Sequence, residues 1–535
     1  MCSHGNLGPI SCIFFHTPLH LASHVVFRCC FAPVSGAFRR TLATLRAVIL
    51  DRADLARVLG TEIPASAEEG VRGVAYDSRR VRPGFAFVAV PGFKRDGTDF
   101  VRDALRRGAS LVVAERELPH APTAVVPDAR DALAALSRAV FGDPSSGMEV
   151  YGVTGTNGKT TTAYALHAIL AGAYGEKTCG LMTTVETVSG AGRRPAVRTT
   201  PEAVEVQETL AGMRDAGVRR VVMEVSSHGI ALGRVAGTRF VGALFTNLTR
   251  DHLDLHGSME AYYQTKRELF RWSDGPKVAN VEDPWGRRLR EEVAGVRTFG
   301  GSGDADYRVA RIETTRTGTS FALRYAGGEL KLRSSLLGTY NVLNVAGAAA
   351  LALEAGIEGE VVAGAVRGMG QVPGRFERVK GGRGFEVIVD YAHTDVGLEA
   401  VLGVARALVE NGGRPGGRVI CVFGAAGERD GDKRPKMGRV AARLADLSIV
   451  TTDDAYAEDP AKIAREVAAG ADPARTEVLL DRRAAIRRAL EAAHEGDVVV
   501  VAGKGHERVQ HLPAGDILFH DATVIGEVLE ELDGG

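Results

Sequence analysis

The residues Gly152–Thr162, GVTGTNGKTTT, have the composition and order needed to hold a polyphosphate. Glycines let backbone amides approach phosphate oxygens, a following helix adds positive potential at its N-terminus, Lys159 can reach the β/γ-phosphates, and Thr160 can reach Mg²⁺. The spacing departs from the usual G-x-x-x-x-G-K-[ST] loop because Val153 stands where its first glycine belongs. An ordinary Gly-rich turn is the bland alternative; the apolar run before it and the helical pattern after it favour the nucleotide reading.

Further segments of the same kind follow. MEVSSHG (223–229) ends an apolar run, which puts Glu224 where a parallel sheet delivers a carboxylate to a nucleotide's metal. TNLTRDHLDLHG (246–257) supplies His252 between acids. A lone histidine is usually structural, but its position downstream of a phosphate loop suits a metal ligand. VDYAHT (389–394), FGAAGERDGDKRPKMG (423–438) and AGKGHE (502–507) each close an apolar run, and Arg434, Lys504 and His506 can bind carboxylate or phosphate while Glu507 holds an amine. The bland reading is solvated loop charges; three such loops at one end of one sheet make a pocket.

The elements that must carry these loops are legible as alternating strands and helices. TLRAVILDRADLARVLG reads as a first helix, and GVAYDSRRVRPGFAFVAV as strands around a turn at Pro83 and Gly84. From Met148 onward, MEVYGVTG, RRVVMEVSS, VGALFTNL and PKVANVED alternate with helical segments in the βαβ rhythm of a mostly parallel sheet. Residues 307–332 alternate like antiparallel strands, and from about Gly374 FEVIVDYA, RVICVFG, LSIVTTDD and DVVVVAG repeat the parallel pattern. Expected bounds are 45–145, 146–372 and 373–535, which agrees with 535 residues at roughly 100–200 per domain.

Lys plus Arg equals Asp plus Glu at 66 each, so the overall field favours neither nucleic acid nor an anionic membrane, and any anion site is local. Four of six cysteines (Cys2, Cys12, Cys29, Cys30) lie in the first thirty residues with no disulfide or zinc spacing, which suits a reducing cytoplasm. The stretch ISCIFFHTPLHLASHVVF is too interrupted to span a bilayer and lacks a signal peptide's charged start, so residues 1–44 are expected to be a disordered or wrongly called leader.

Taken together and in order, YDSR, GTNGKTTT, TTPE, MEVSSHG, TNLTRDHLDLHG, YNVLN, GRFE, DYAHT, KRPKMG and AGKGHE resemble the Mur ligase family, from about Leu45 to the C-terminus. The resemblance is strongest to the branch that adds the third amino acid of the peptidoglycan stem peptide. It implies an α/β protein of three domains: a small N-terminal α/β uridine-binding domain, a central P-loop ATPase-like domain with a mostly parallel sheet, and a C-terminal Rossmann-like domain that takes the amino acid. It further implies ATP on Gly155, Thr156, Asn157, Gly158, Lys159, Thr160 and Thr161, with Asn280, Asp283 and Asn344 near the adenosine.

UDP-N-acetylmuramoyl-L-alanyl-D-glutamate would contact Ser78, Lys94, Thr199, Thr200, Ser226 and Arg234, and the incoming amino acid Arg434, Gly503 and Glu507. Lys159, Glu224, His252 and Lys266 would be catalytic; Thr160, Glu224, His252 and Lys266 would hold Mg²⁺, the lysine as a CO₂-derived carbamate. Nothing in the spacing of Lys266 argues for that role, which rests on the resemblance alone. The chain is expected to be cytoplasmic and monomeric.

Two departures matter. Leu232 stands where the family often has a glutamine. DDAY (453–456) replaces the Asp-Asn-Pro-Arg loop of enzymes that select meso-diaminopimelate, so Tyr456 takes the place of a carboxylate-pairing arginine. A tyrosine cannot make that contact, whereas Asp453, Asp454 and Glu458 suit a bare ammonium, which leans toward L-lysine with diaminopimelate still open. Folylpolyglutamate and cyanophycin synthetases, or a catalytically silent nucleotide- or UDP-sugar-binding protein, are the competing readings.

Overall fold

The computed structural model describes residues 48–534 except 68–69, 93–94, 381–382 and 412–415; the expected leader and Lys94 lie outside the described residues. Leu50 does not continue a helix. It pairs with Val71 as an isolated antiparallel bridge, and Asp51 caps a shorter helix, Arg52–Leu59, by accepting from the Asp54 amide. An N-cap carboxylate satisfies an amide that would otherwise have no partner, and so sets where the helix starts.

Among the described residues the first sheet has strands β1 (Gly73–Ala75), β2 (Phe85–Val88), β3 (Ala109–Ala114) and β4 (Thr123–Val125), all parallel. The turn at Pro83 and Gly84 therefore joins parallel, not antiparallel, strands, with a 3₁₀ turn at Ser78–Arg80 between them.

The second sheet is built around β5 (Glu149–Thr154). Its other members are β6 (Cys179–Met182), β7 (Glu186–Ser189), β8 (Gly192–Pro195), β9 (Arg220–Glu224), β10 (Phe240–Phe245), β11 (Lys277–Asn280), β12 (Val296–Gly300), β13 (Tyr307–Thr315), β14 (Gly318–Tyr325) and β15 (Gly328–Ser334). The order is β15-β14-β13-β12-β11-β10-β5-β9-β6-β7-β8, parallel from β13 to β6 and antiparallel at both edges. Placing β5 between β9 and β10 opens a crevice at its carboxyl end, where ligands bind in such sheets. Helices α1 (Lys159–Tyr174), α2 (Met259–Trp272) and α3 (Thr339–Glu354) cover this sheet, with α1 and α3 sharing one core through Leu166, Ile169, Val345 and Ala349.

The third sheet runs β16 (Glu377–Val379), β17 (Glu386–Asp390), β21 (Val498–Ala502), β18 (Val419–Phe423), β19 (Leu447–Val450), β20 (Thr476–Val478), parallel except at β16. β18 and β21 are buried along their whole length, which is why they read as unbroken apolar runs rather than alternating ones. A separate hairpin pairs β22 (Val509–Leu512) with β23 (Gly515–Leu518). No described helix is long and apolar enough to cross a membrane.

Between α4 (Arg482–Ala492) and α5 (Asp521–Gly534) lies a fully buried ion pair. Arg482 meets Asp521 through two hydrogen bonds of 2.8 Å and also donates to the Ala502 carbonyl at 3.0 Å, tying α5 to the end of β21. Removing one member strands the other charge out of water. Arg482→Leu is expected to lower the unfolding free energy by about 3–5 kcal/mol, and the double change with Asp521→Leu to recover most of that, read from urea titrations.

Candidate functional site

The crevice at β5 holds a cavity of about 490 Å³. Between β5 and α1 the chain turns through Gly155–Gly158, and two of these positions accept no side chain. A Cβ on Gly155 (φ 150°) would sit 1.9 Å from Thr246 Oγ1, and one on Gly158 (φ 82°) would sit 2.2 Å from Asn344 Oδ1. The turn is held by the segment after β10: Thr156 N–H donates to the Asn247 carbonyl (2.9 Å), Asn157 N–H to Asn247 Oδ1 (2.9 Å), and Thr246 Oγ1 to the Asn157 carbonyl (2.6 Å). Val153 lies in β5 and is fully buried, so the residue that breaks the usual loop spacing is a core residue.

Glu224, at the end of β9, is the carboxylate beneath this turn. It accepts from Thr160 Oγ1 (2.9 Å) and the Thr184 amide (3.2 Å), and its second oxygen lies 3.9 Å from Lys159 Nζ. Lys159 donates to the Thr156 carbonyl at 2.8 Å, and burial holds its pKa below the usual lysine value. Arg375, which the sequence reading left without a role, donates to Thr160 Oγ1 at 3.3 Å.

His252 takes a left-handed conformation (φ 53°); its N–H donates to Asp251 Oδ1 at 2.9 Å, and its ring stands edge-on to His228 at 4.7 Å. Burial pushes its pKa down to about 4, which leaves a neutral imidazole able to ligate. Lys266, on α2, is 1% exposed and lies under the turn, where Nζ donates to the Gly155 carbonyl at 2.8 Å. Burial, and next the charge of Lys159, hold its pKa well below the usual value. Among the described residues no three His, Cys, Asp or Glu converge as a preformed metal cage. The donors present, a threonine hydroxyl beside a carboxylate, fit Mg²⁺, which takes few protein ligands and completes its shell with water and phosphate.

Thr199, Thr200, Ser226 and Arg234 form one cluster beside Glu224. Thr200 Oγ1 donates to the Glu224 carbonyl (3.1 Å) and accepts from the Ser226 amide (3.0 Å), Thr199 Oγ1 donates to Thr184 Oγ1 (3.1 Å), and Arg234 donates to the Thr200 carbonyl (3.1 Å) while pairing with Glu202 (2.8 Å). The third sheet reaches the same place. Asp390, Tyr391 and His393 line the cavity, Arg375 lies over the Tyr391 ring at 4.4 Å, and His506 Nε2 donates to the Thr184 carbonyl at 3.2 Å. Behind them Lys504, fully buried, bridges Asp454 (2.8 Å) and Glu507 (3.0 Å), and the Tyr391 hydroxyl donates to Glu507 at 3.2 Å.

Three family models cover most of this architecture: "Mur ligase family, catalytic domain" over residues 70–141, "Mur ligase middle domain" over 153–352, and "Mur ligase, glutamate ligase domain" over 374–505. The UDP-N-acetylmuramoyl-L-alanyl-D-glutamate–2,6-diaminopimelate ligase of Solibacter usitatus (strain Ellin6076) is 43% identical over 494 residues, covering 90% of this chain and 97% of its own. The chain belongs to the Mur ligase family. Its counterpart of the same name in Syntrophomonas wolfei subsp. wolfei (strain DSM 2245B / Goettingen) is 41% identical over 470 residues, 86% of this chain and 94% of its own. A solved structure of a ligase with that name superposes at a TM-score of 0.63 with 30% identity, covering 91% of this chain and 99% of that one.

This Mur ligase is thus an enzyme of ligase type with the three-unit α/β architecture, and its expected site residues differ in where the fold places them. Thr156, Asn157, Gly158, Lys159, Thr160, Thr161, Thr199, Glu224, His252, Asn280 and Asn344 line the one cavity. Gly155, Lys266, Thr200, Ser226 and Arg234 lie behind this lining: Thr200 bonds to Glu224, Ser226 and Arg234 bond to Thr200, and Lys266 bonds to Gly155, while Asp453, Asp454, Tyr456, Gly503 and Glu507 do not line the cavity.

Three others bond to protein partners. Asp283 spends its carboxylate on the Leu248 and Trp285 amides, capping the helix Pro284–Glu292. Ser78 is buried against Asp103. Arg434 is buried between Glu458 (2.7 Å) and Glu466 (2.6 Å), so its charge is already matched. The guanidinium that faces Tyr456 is Arg429, 6.0 Å from the ring centroid. Arg375 and Asp390 sat inside quoted motifs, GRFE and DYAHT, but their contacts are across the fold and no local spacing announces them.

Gly158→Ala combines a left-handed backbone with a collision against Asn344. It is expected to cost about 1–3 kcal/mol in thermal unfolding, with the loss reduced when Asn344→Gly is added.

Proposed function

We propose that this Mur ligase joins a diamino acid to the D-glutamyl γ-carboxylate of UDP-N-acetylmuramoyl-L-alanyl-D-glutamate at the expense of ATP, in the cytoplasm. One observation carries the reading: the phosphate turn, Thr199 and the Asp390–Thr394 loop of the third sheet line a single cavity, with Arg375 bonded to Thr160 and His506 to the Thr184 carbonyl.

In this reading the amides of Gly155–Thr161 and the start of α1 surround the polyphosphate, and Lys159 offsets charge on the γ-phosphate as it passes to the carboxylate oxygen, giving ADP and an acyl phosphate. Thr200, Ser226 and Arg234 orient the dipeptide so that its carboxylate lies in line. The acceptor's free amine then attacks the acyl carbon, the tetrahedral intermediate collapses, and inorganic phosphate leaves with formation of the amide. Asp390, Tyr391 and the Lys504–Glu507 pair fix the acceptor side, bringing the amine to attack distance while the third sheet excludes water. Thr160, Glu224 and the neutral His252 would hold Mg²⁺, which when bound screens the phosphate charges. Lys266 has the chemistry for carbamate formation, because only an uncharged amine adds to CO₂ and its burial favours that form.

For the acceptor, two arguments oppose each other. Tyr456 in the loop after β19 speaks for L-lysine. Against it, Asp454 and Glu507 are already matched by Lys504, and Glu458 by Arg434, so few carboxylates are left for a bare ammonium. Arg429 stands beside Tyr456, and both relatives are named for 2,6-diaminopimelate. We therefore favour 2,6-diaminopimelate.

The test is phosphate release and product mass with the UDP-dipeptide, MgATP and either diamino acid. Turnover that needs all three substrates supports the ligase, preference for lysine overturns the acceptor assignment, and no turnover with either overturns the function. Lys159→Met is expected to lower kcat at least 100-fold.

A further inference from the structure

The acceptor loop is tied to the β22–β23 hairpin by a residue that the mechanism above does not use. Tyr456 N–H donates to the His511 carbonyl at 3.1 Å, and His511 N–H donates to Asp454 Oδ1 at 2.9 Å, the oxygen that also accepts from Lys504. The Tyr456 and His511 rings are stacked, with centroids 5.2 Å apart and planes 12° from parallel. His511 Nδ1 in turn lies 2.8 Å from Asp516 Oδ1 on the opposite strand of the hairpin. Gln510, one residue earlier, donates to the Thr452 and Asp453 carbonyls at 3.1 and 3.2 Å.

This hairpin does little for the core. β23 is exposed along its length, and Leu518 is 89% exposed. A lone two-stranded hairpin is barely stable in water, so its bonds to residues 452–456 are what locate it. Tyr456 meanwhile has φ 51°, a conformation that side-chain-bearing residues rarely adopt and that the surroundings must hold. Its phenol pKa is raised, by burial first and then by the charge of Asp454, while Arg429 beside the ring pulls the other way.

We infer that His511 is a positioning residue that sets acceptor selectivity through Tyr456, the hairpin holding the tyrosine ring as a fixed wall of the acceptor pocket. The methylene chain of the diamino acid lies against that ring, and its far end is read beside Arg429. The inference rests on the ligase reading above. It makes selectivity a property of two elements, the 453–456 loop and the hairpin, rather than of position 456 alone.

The experiment uses the full-length enzyme and compares wild type, His511→Ala and His511→Phe, measuring kcat and KM for both diamino acids, for ATP and for the UDP-dipeptide. His511→Ala is expected to raise KM for the preferred acceptor roughly tenfold, to narrow the preference between the two diamino acids, and to leave kcat and the other two KM values within about twofold. His511→Phe, which keeps a stacking ring and the backbone bonds, should restore wild-type selectivity to within about twofold. An unchanged acceptor KM in His511→Ala, or an equal loss in His511→Phe, overturns the inference while leaving the ligase intact. A fall in kcat with a rise in all four KM values overturns it as well, because the role would then be structural. Absence of turnover by wild type with either diamino acid overturns the ligase reading and this inference with it.

Discussion

A single buried carboxylate organises the centre of this enzyme. Glu224 is 2% exposed, and such a charge is tolerated in a protein interior only when its oxygens are matched by donors and a cation. Here the donors come from two separate segments: Thr160 and, at slightly longer range, Lys159 at the start of α1, and the Thr184 amide after β6. Satisfying one carboxylate therefore fixes the phosphate turn relative to the segment that leads into Thr199 and Thr200. The backbone carbonyl of the same residue accepts from Thr200 Oγ1, so the cluster of Thr200, Ser226 and Arg234 is set by it too.

The same need for charge matching shapes the third sheet. Lys504 has no exposure, yet it sits between Asp454 and Glu507, and Arg434 between Glu458 and Glu466. Charges that look free in a linear string are spent on one another once the strands are side by side. In the proposed function, what is left to meet a substrate is the small remainder: Asp453, Arg429, Tyr391 and Tyr456 around the acceptor, and Lys159 with Arg375 around the phosphates.

That difference explains what was and was not legible in the sequence. The phosphate turn could be read directly because its parts are contiguous, and β18 and β21 because full burial leaves an unbroken apolar signature. The start of the first helix was misplaced because a bridge from Leu50 to Val71 depends on a residue twenty-one positions away. The ion pairs of Arg434 are hidden for the same reason: its partners, Glu458 and Glu466, lie across a strand and a loop, and a string of letters does not show that they meet it. Arg375 lies within GRFE, but no local spacing announces its contacts; only the fold brings it to Thr160 and Tyr391. Contacts within one turn of chain were readable, and contacts between elements were readable only where burial imposed a composition.

The fully buried strand β21 runs without a break into Gly503–Glu507 and then into the exposed hairpin. Within about twenty residues the chain passes from its most protected segment to one of its most open, and local opening follows such gradients of burial. Amide protons of Val498–Ala502 therefore belong with the global unfolding event, whereas those of β23 exchange through local fluctuations that leave the sheet intact. Lys504 and Glu507 sit at the boundary between these two regimes. Opening of the outer strand β23 thus leaves in place both β22, tied to residues 452–456 through Gln510 and His511, and the strand that carries Lys504 and Glu507.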